Sequence, residues 1–126
     1  MCLYSWQNRK KATKDIVCYK TLNCIKGKLH SIYGRHIWEL DTVYEAERAK
    51  PNYYEDEITF GYFHSYDKMF NQYSLSPGLQ RYAKCIIPKD TYYYYGIHSD
   101  GHEGYASKKL KIVEIYDYLG NKIDKK

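Results

Sequence analysis

Tyr92, Tyr93, Tyr94 and Tyr95 stand side by side, in a chain that carries 17 tyrosines among 126 residues. A strand sends successive side chains to opposite faces, so this block puts two phenol rings on each side of a sheet. At least one of those faces must be buried or meet a wet interface. Aromatic residues also fit a pleated, half-buried surface better than a helix, which turns the whole reading towards β structure. Hydrophobic residues make up 44% of the chain, but the tyrosines among them carry hydroxyls that need water or a hydrogen-bond partner, and a core wet at its edges follows.

A chain of this length holds one core. Residues 16–24 and 28–33 read as a hairpin turning at Lys26-Gly27. Residues 36–40 and 42–46 read as a third strand interrupted near Asp41, and the polar stretch 47–57, with Pro51, as a long loop. Strand character resumes in EITFGYFHSY. Ser65 then suits an N-cap for a short helix over 66–73, whose Tyr66, Met69, Phe70 and Tyr73 fall on one face. Residues 81–87 form the next strand, followed by the Pro88-Lys89-Asp90 turn, the tyrosine strand, a loop over 98–104 and a last hairpin turning at Gly120-Asn121. The expectation is an α+β fold: a strongly twisted antiparallel sheet or half-barrel of about six to eight strands with one short helix. It fills a single domain over 15–126, behind a basic N-terminal arm over 1–14.

The formal net charge is +5, but it is split along the chain. Arg9, Lys10, Lys11 and Lys14 make the arm basic, whereas Glu39, Asp41, Glu45, Glu47, Glu55, Asp56 and Glu57 make the middle acidic. Binding of duplex nucleic acid, which selects one strong basic stripe, is not expected from this pattern. Cys2, Cys18, Cys24 and Cys85 form no C-x-x-C pair, and Cys18 and Cys85 lie in apolar runs where a thiol acts as a small hydrophobe. With no secretory signal and no membrane-length apolar run, free thiols in the cytoplasm are expected, with no membrane partner. His98, Asp100, His102 and Glu103 carry metal-capable atoms, yet no further ligand declares itself, so the segment reads as a polar turn and neither a metal nor another cofactor is expected. No phosphate-cradling glycine loop, G-x-S-x-G elbow or H-E-x-x-H occurs, which excludes the common motif-bearing enzyme classes.

Three stretches carry a resemblance: IVCYKTL, FGYFHSY, and KCIIPKDTYYYYGIHSDGHEGYASKKLKIVEI. Together they resemble a group of short uncharacterised proteins of gut-dwelling anaerobes and their phages, in which Y-K-x-L, G-F-H-S-Y and I-P-K-G-T…Y-A-S recur in that order. The likeness covers most of residues 15–116. Where that pattern has Gly this chain has Asp90, and Tyr62 is interposed before Phe63. More remotely, the order is similar to a degenerate ADP-ribosyltransferase. Tyr19-Lys20, Phe63-His64-Ser65 and Tyr105-Ala106-Ser107 then stand where that family carries its first-strand Arg or His, its nicotinamide-bracing element and its catalytic Glu. Neither Ala106 nor Ser107 can carry the negative charge that stabilises an oxocarbenium-like centre. The resemblance therefore implies a pocket that holds a nucleotide-like ligand without transferring it.

The leading reading is a non-enzymatic binding protein, of phage or mobile-element origin and with an anti-defence role. It would capture a nucleotide-type ligand or a host protein through tyrosine faces flanked by lysine or arginine. Its candidate contacts are Tyr19, Lys20, Arg35, His64, Tyr66, Tyr105 and Ser107. The alternatives are an ADP-ribosyltransferase-like enzyme using Glu103, and a protein-only inhibitor or adaptor that presents its acidic 47–57 loop.

Overall fold

Ile16–Ile25, rich in β-branched and apolar residues, forms the longest strand of a computed structural model that describes residues 3–4, 9–31, 36–46, 50–52, 57–60, 62–69, 79–98, 101–117 and 119–123. Among the described residues there are fourteen strands and no helix, and all the strands join one sheet. In chain order they begin with β1 (Leu3–Tyr4), β2 (Lys10–Lys11), β3 (Ile16–Ile25), β4 (Lys28–Ser31) and β5 (Ile37–Trp38). Next come β6 (Val43–Glu45), β7 (Lys50–Asn52), β8 (Glu57–Phe60), β9 (Phe63–Tyr66) and β10 (Gln80–Ile87). The chain closes with β11 (Tyr92–His98), β12 (Glu103–Ser107), β13 (Lys109–Tyr116) and β14 (Lys122–Ile123). No helix among the described residues is long and apolar enough to cross a membrane.

The expected α+β class, with one short helix and six to eight strands, is thereby corrected to an all-β sheet with more strands. Residues 63–65, part of a run read as strand, do lie in strand β9, but β9 continues through Tyr66, read as the first helical residue, and Asp67, Lys68 and Met69 are not helical. Residues 70–73 of that reading lie outside the described residues. The ladder wins because Tyr66 pairs with Gly104 on one side and Tyr19 on the other and packs, buried, against the His98 ring. A helix of two turns has no comparable source of stability, since its nucleation costs more than its few bonds return. The extra strands come from segments read as arm and loop: residues 3–4 and 10–11 pair with β11, and 50–52 pairs with 57–60.

β3 and β4 join through Lys26 and Gly27, both at positive φ (53° and 76°), the left-handed pair that a two-residue hairpin turn demands. On its other edge β3 pairs with β10 from Ile16↔Ile87 to Asn23↔Gln80, and β10 pairs with β13. β4 pairs with β5, and Leu40 just beyond bridges Ile112 of β13. The inward faces of these strands hold the main core. Leu22, Leu29, Trp38, Cys85, Leu110 and Ile112 are fully buried there, each such side chain contributing about 1.5–3 kcal/mol by leaving water. Trp38 keeps its polar edge satisfied by donating from Nε1 to Ser31 Oγ at 2.8 Å.

The second part of the sheet runs β9–β12–β11, with β2 and β1 on the far edge of β11. Gly104 lets these strands close up: a Cβ there would lie 2.1 Å from the Ser65 carbonyl oxygen and 2.5 Å from His98 Nε2. That His98 nitrogen sits 2.7 Å from the same carbonyl, which can only accept, so Nε2 carries the proton.

The arm is fastened at the turn after β10. Ala12 N–H donates to Thr91 O at 2.9 Å, and Asp90 N–H donates to Ala12 O at 2.8 Å. Asp90 adopts φ 71°, the conformation that suits glycine. Asp90→Gly is therefore expected to raise stability by up to about 1 kcal/mol, whereas Asp90→Val lowers it by about 1–2 kcal/mol. Urea midpoints at unchanged m measure both, and a glycine variant less stable than the valine variant would contradict the turn.

Candidate functional site

The tyrosine block resolves into two faces once β11 is set between β12 and β2. Tyr95 stands opposite Tyr105 and Tyr93 opposite Ser107, so the Tyr93, Tyr95 and Tyr105 rings share one side. Their centroids lie 5.9 Å (Tyr93 to Tyr105) and 5.1 Å (Tyr95 to Tyr105) apart, edge to face. On the reverse side Tyr94 packs on Tyr62 at 5.7 Å. Tyr92 stays 42% exposed, with the Arg9 guanidinium 4.1 Å and the Lys11 ammonium 5.8 Å from its ring centre.

The pairing of β2 with β11, Lys10 opposite Tyr93 and Lys11 opposite Tyr92, brings the basic arm against the aromatic strand. Between arm and sheet opens a cleft of about 640 Å³ lined by Lys10, Lys11, Thr13, Lys14, Ile16, Tyr93 and Tyr105. Among these described lining residues none is acidic. Asp15, next along the chain, directs its carboxylate to the Lys89 backbone N–H at 2.8 Å. Burial raises the pKa of the Tyr105 phenol, with Cys18, Asp67 and Tyr93 adding to the effect. The hydroxyl thus stays protonated at neutral pH, able to donate to an anionic oxygen. Three ammonium groups, a hydroxyl-bearing threonine and two phenol rings suit a ligand that joins a negative group to a flat ring.

A second cleft, of about 410 Å³, lies at the other end of the tyrosine row, lined by Tyr66, Asp67, Lys68, Met69, Gly101, His102 and Glu103. Beside it the Tyr95 hydroxyl sits 3.0 Å from Asp67 Oδ2 and 2.9 Å from Glu103 Oε2. Burial, then these two hydrogen bonds, push its phenol well above the usual range. Among the described residues no group of three or more His, Cys, Asp or Glu side chains could hold a metal ion.

The residues singled out from the sequence fall on adjoining strands but on two faces. Lys20, Tyr105 and Ser107 face the core side, whereas Tyr19, His64 and Tyr66 face the reverse. Tyr105 alone of them lines the basic cleft. Tyr66 and Ser107 are buried, and His64 lies against the His98 ring at 5.6 Å. Arg35 lies outside the described residues. Lys20 points inward: its ammonium donates to the His64 carbonyl at 2.8 Å and sits 6.0 Å from the Trp38 ring. Burial lowers its pKa, against a raising effect of Cys85 and Cys18, and the His36 imidazole is held down in turn by burial and by Lys20. Cys85, opposite Cys18 in the ladder, is a free thiol whose pKa is pushed up by burial and by a hydrogen bond with the Cys18 side chain.

Lys10, Lys11, Thr13, Lys14 and Tyr93 were not among the residues singled out. Their signals, a basic run and a tyrosine block, are both visible in the sequence, but the pairing that joins them is not. No family model, curated protein or solved structure matches this chain.

The setting of Lys20 makes stability depend on pH. Between its lowered native pKa and the ordinary 10.5, the unfolded chain keeps a proton that the native amine has released, so stability rises with pH across that window. Lys20→Met removes the cost of desolvating the charge. The variant is expected to be more stable than the parent by about 1 kcal/mol at neutral pH, with the gain shrinking as the pH climbs towards 10.5. Thermal melts over this range measure it, and a gain independent of pH would contradict the desolvated amine.

Proposed function

We propose that this chain is a non-enzymatic binding protein that captures a nucleotide-type ligand in the cleft between the basic arm and the β11–β12 tyrosines. The observation that carries the reading is the joint lining of one concave space by Lys10, Lys11 and Lys14 with Tyr93 and Tyr105. Its volume of about 640 Å³ is in the range of small-molecule sites. Phosphate oxygens would meet the ammonium groups and the Tyr105 hydroxyl, while the base lies against a phenol ring. Neither contact needs a reacting side chain. The same reading sets the protein in the reducing cytoplasm, where thiols such as Cys18 and Cys85 stay free.

At a hundredfold excess over its Kd, a ligand of this class stabilises the folded chain by about 2.7 kcal/mol, a rise of several degrees in Tm. ATP, ADP-ribose and a cyclic dinucleotide are the probes, with adenosine as the uncharged control. At least one of the three is expected to raise Tm and adenosine is not. The double variant Lys10→Gln/Lys14→Gln is expected to lose about tenfold or more in affinity, and added salt to weaken the parent. If all three ligands leave Tm unmoved at saturation, the small-ligand reading is wrong, and capture of a host protein is then tested by affinity purification.

A further inference from the structure

The cationic and aromatic groups do not stop at the cleft. Tyr92 projects from the opposite face of β11, and Arg9 and Lys11 gather over its ring at 4.1 and 5.8 Å. Lys11 also lines the cleft itself, so one lysine belongs to both clusters. β2, the strand between them, pairs with β11 alone among the described strands, so no described strand bars a chain from crossing its other edge. A single nucleotide in the cleft can reach Tyr93 and Tyr105 but not a ring on the reverse of the sheet.

On these grounds, and resting on the reading of the cleft given above, we infer that the physiological ligand is a single-stranded oligonucleotide that enters the cleft and passes over the β2 edge to Tyr92. Exposed tyrosine rings and arginine planes are surfaces on which unstacked bases settle, and a line of lysines follows a phosphate backbone. A duplex hides its bases in its own stack and could use only the charges. An acidic polypeptide likewise offers charge without bases, and nothing in it calls for rings on both sides of one strand.

The test is fluorescence anisotropy of a fluorescein-labelled oligothymidylate of about a dozen nucleotides, long enough to fill a typical single-strand site, with thymidine triphosphate and polyglutamate as competitors. The oligomer is expected to bind at least about tenfold more tightly than the triphosphate, with polyglutamate displacing it poorly. In Tyr92→Leu the ratio of oligomer to triphosphate affinity is expected to fall about tenfold, the loss of one stacked base. Arg9→Gln, which keeps the ring, should lower the same ratio, and circular dichroism confirms that both variants fold. If the triphosphate binds and the oligomer is no tighter, or the ratio ignores Tyr92, this inference fails while the cleft reading stands. Equal displacement by polyglutamate also overturns it, since charge alone would then account for binding. If neither nucleotide nor oligomer binds, the cleft reading fails with it.

Discussion

β3 is the strand on which both halves of this sheet depend. Its outer half pairs with β4 and its whole inner edge with β10, while the Tyr19–Tyr66 pair and the Lys20 hydrogen bond to the His64 carbonyl link it to β9 and so to the tyrosine-bearing strands. The pleat decides the rest. Because Tyr19 faces away from the core, Ile16, Cys18, Lys20 and Leu22 must face it, and this places Ile16 in the wall of the basic cleft and Lys20 beside Trp38. A slip of one residue would exchange these two sets, exposing Cys18 and Leu22 and burying Val17 and Tyr19. The buried contacts of Leu22 and Cys18 are what forbid it.

The row of rings on the core side of β11 and β12 has unlike ends. Lys10 stands opposite Tyr93 at one end, while at the other Tyr95 shares its hydroxyl between Asp67 and Glu103. Under the proposed reading this gives a bound ligand a direction, since phosphate is attracted towards the arm and repelled from the carboxylates. The same contrast explains why the overall charge of +5 is a poor guide here. What matters is that the positive groups lie in one stretch of chain, which the ladder lays along the rings.

Local signals in the sequence were enough wherever a residue's own conformation decides the outcome. The Lys26-Gly27 turn, the break at Asp41 with φ 58°, the turn at Asp90 and the turn at Gly120 all sit at positive φ between strands. Pairing between distant segments was not legible in that way. The helical spacing of Tyr66 and Met69 is real, but Tyr66 has ladder partners 38 residues downstream and 47 upstream, at Gly104 and Tyr19, and periodicity cannot report them. The basic cleft was not legible for the same reason. Tyr105 was visible as an aromatic beside bases, yet the bases that reach its cleft are those of the arm, brought there by β2 and not by nearness in sequence. Lys20, chosen for standing next to Tyr19, is turned inward by the pleat.

A flexible arm carrying four positive charges could meet an anion anywhere, but ordering it at the moment of binding would cost about 1–2 kcal/mol for each residue fixed. In this fold much of that cost is met during folding. Ala12 is buried at 1% exposure and exchanges two backbone hydrogen bonds with Asp90 and Thr91, while Asp15 holds the Lys89 N–H from the other side of the arm. Lys10, Lys11 and Lys14 are thereby anchored on both sides of a clipped residue, with only their side chains left to settle. Under the proposed reading, binding energy from phosphate contacts would go into affinity instead of into ordering the backbone, which would couple the turn at Asp90 to the strength of the site.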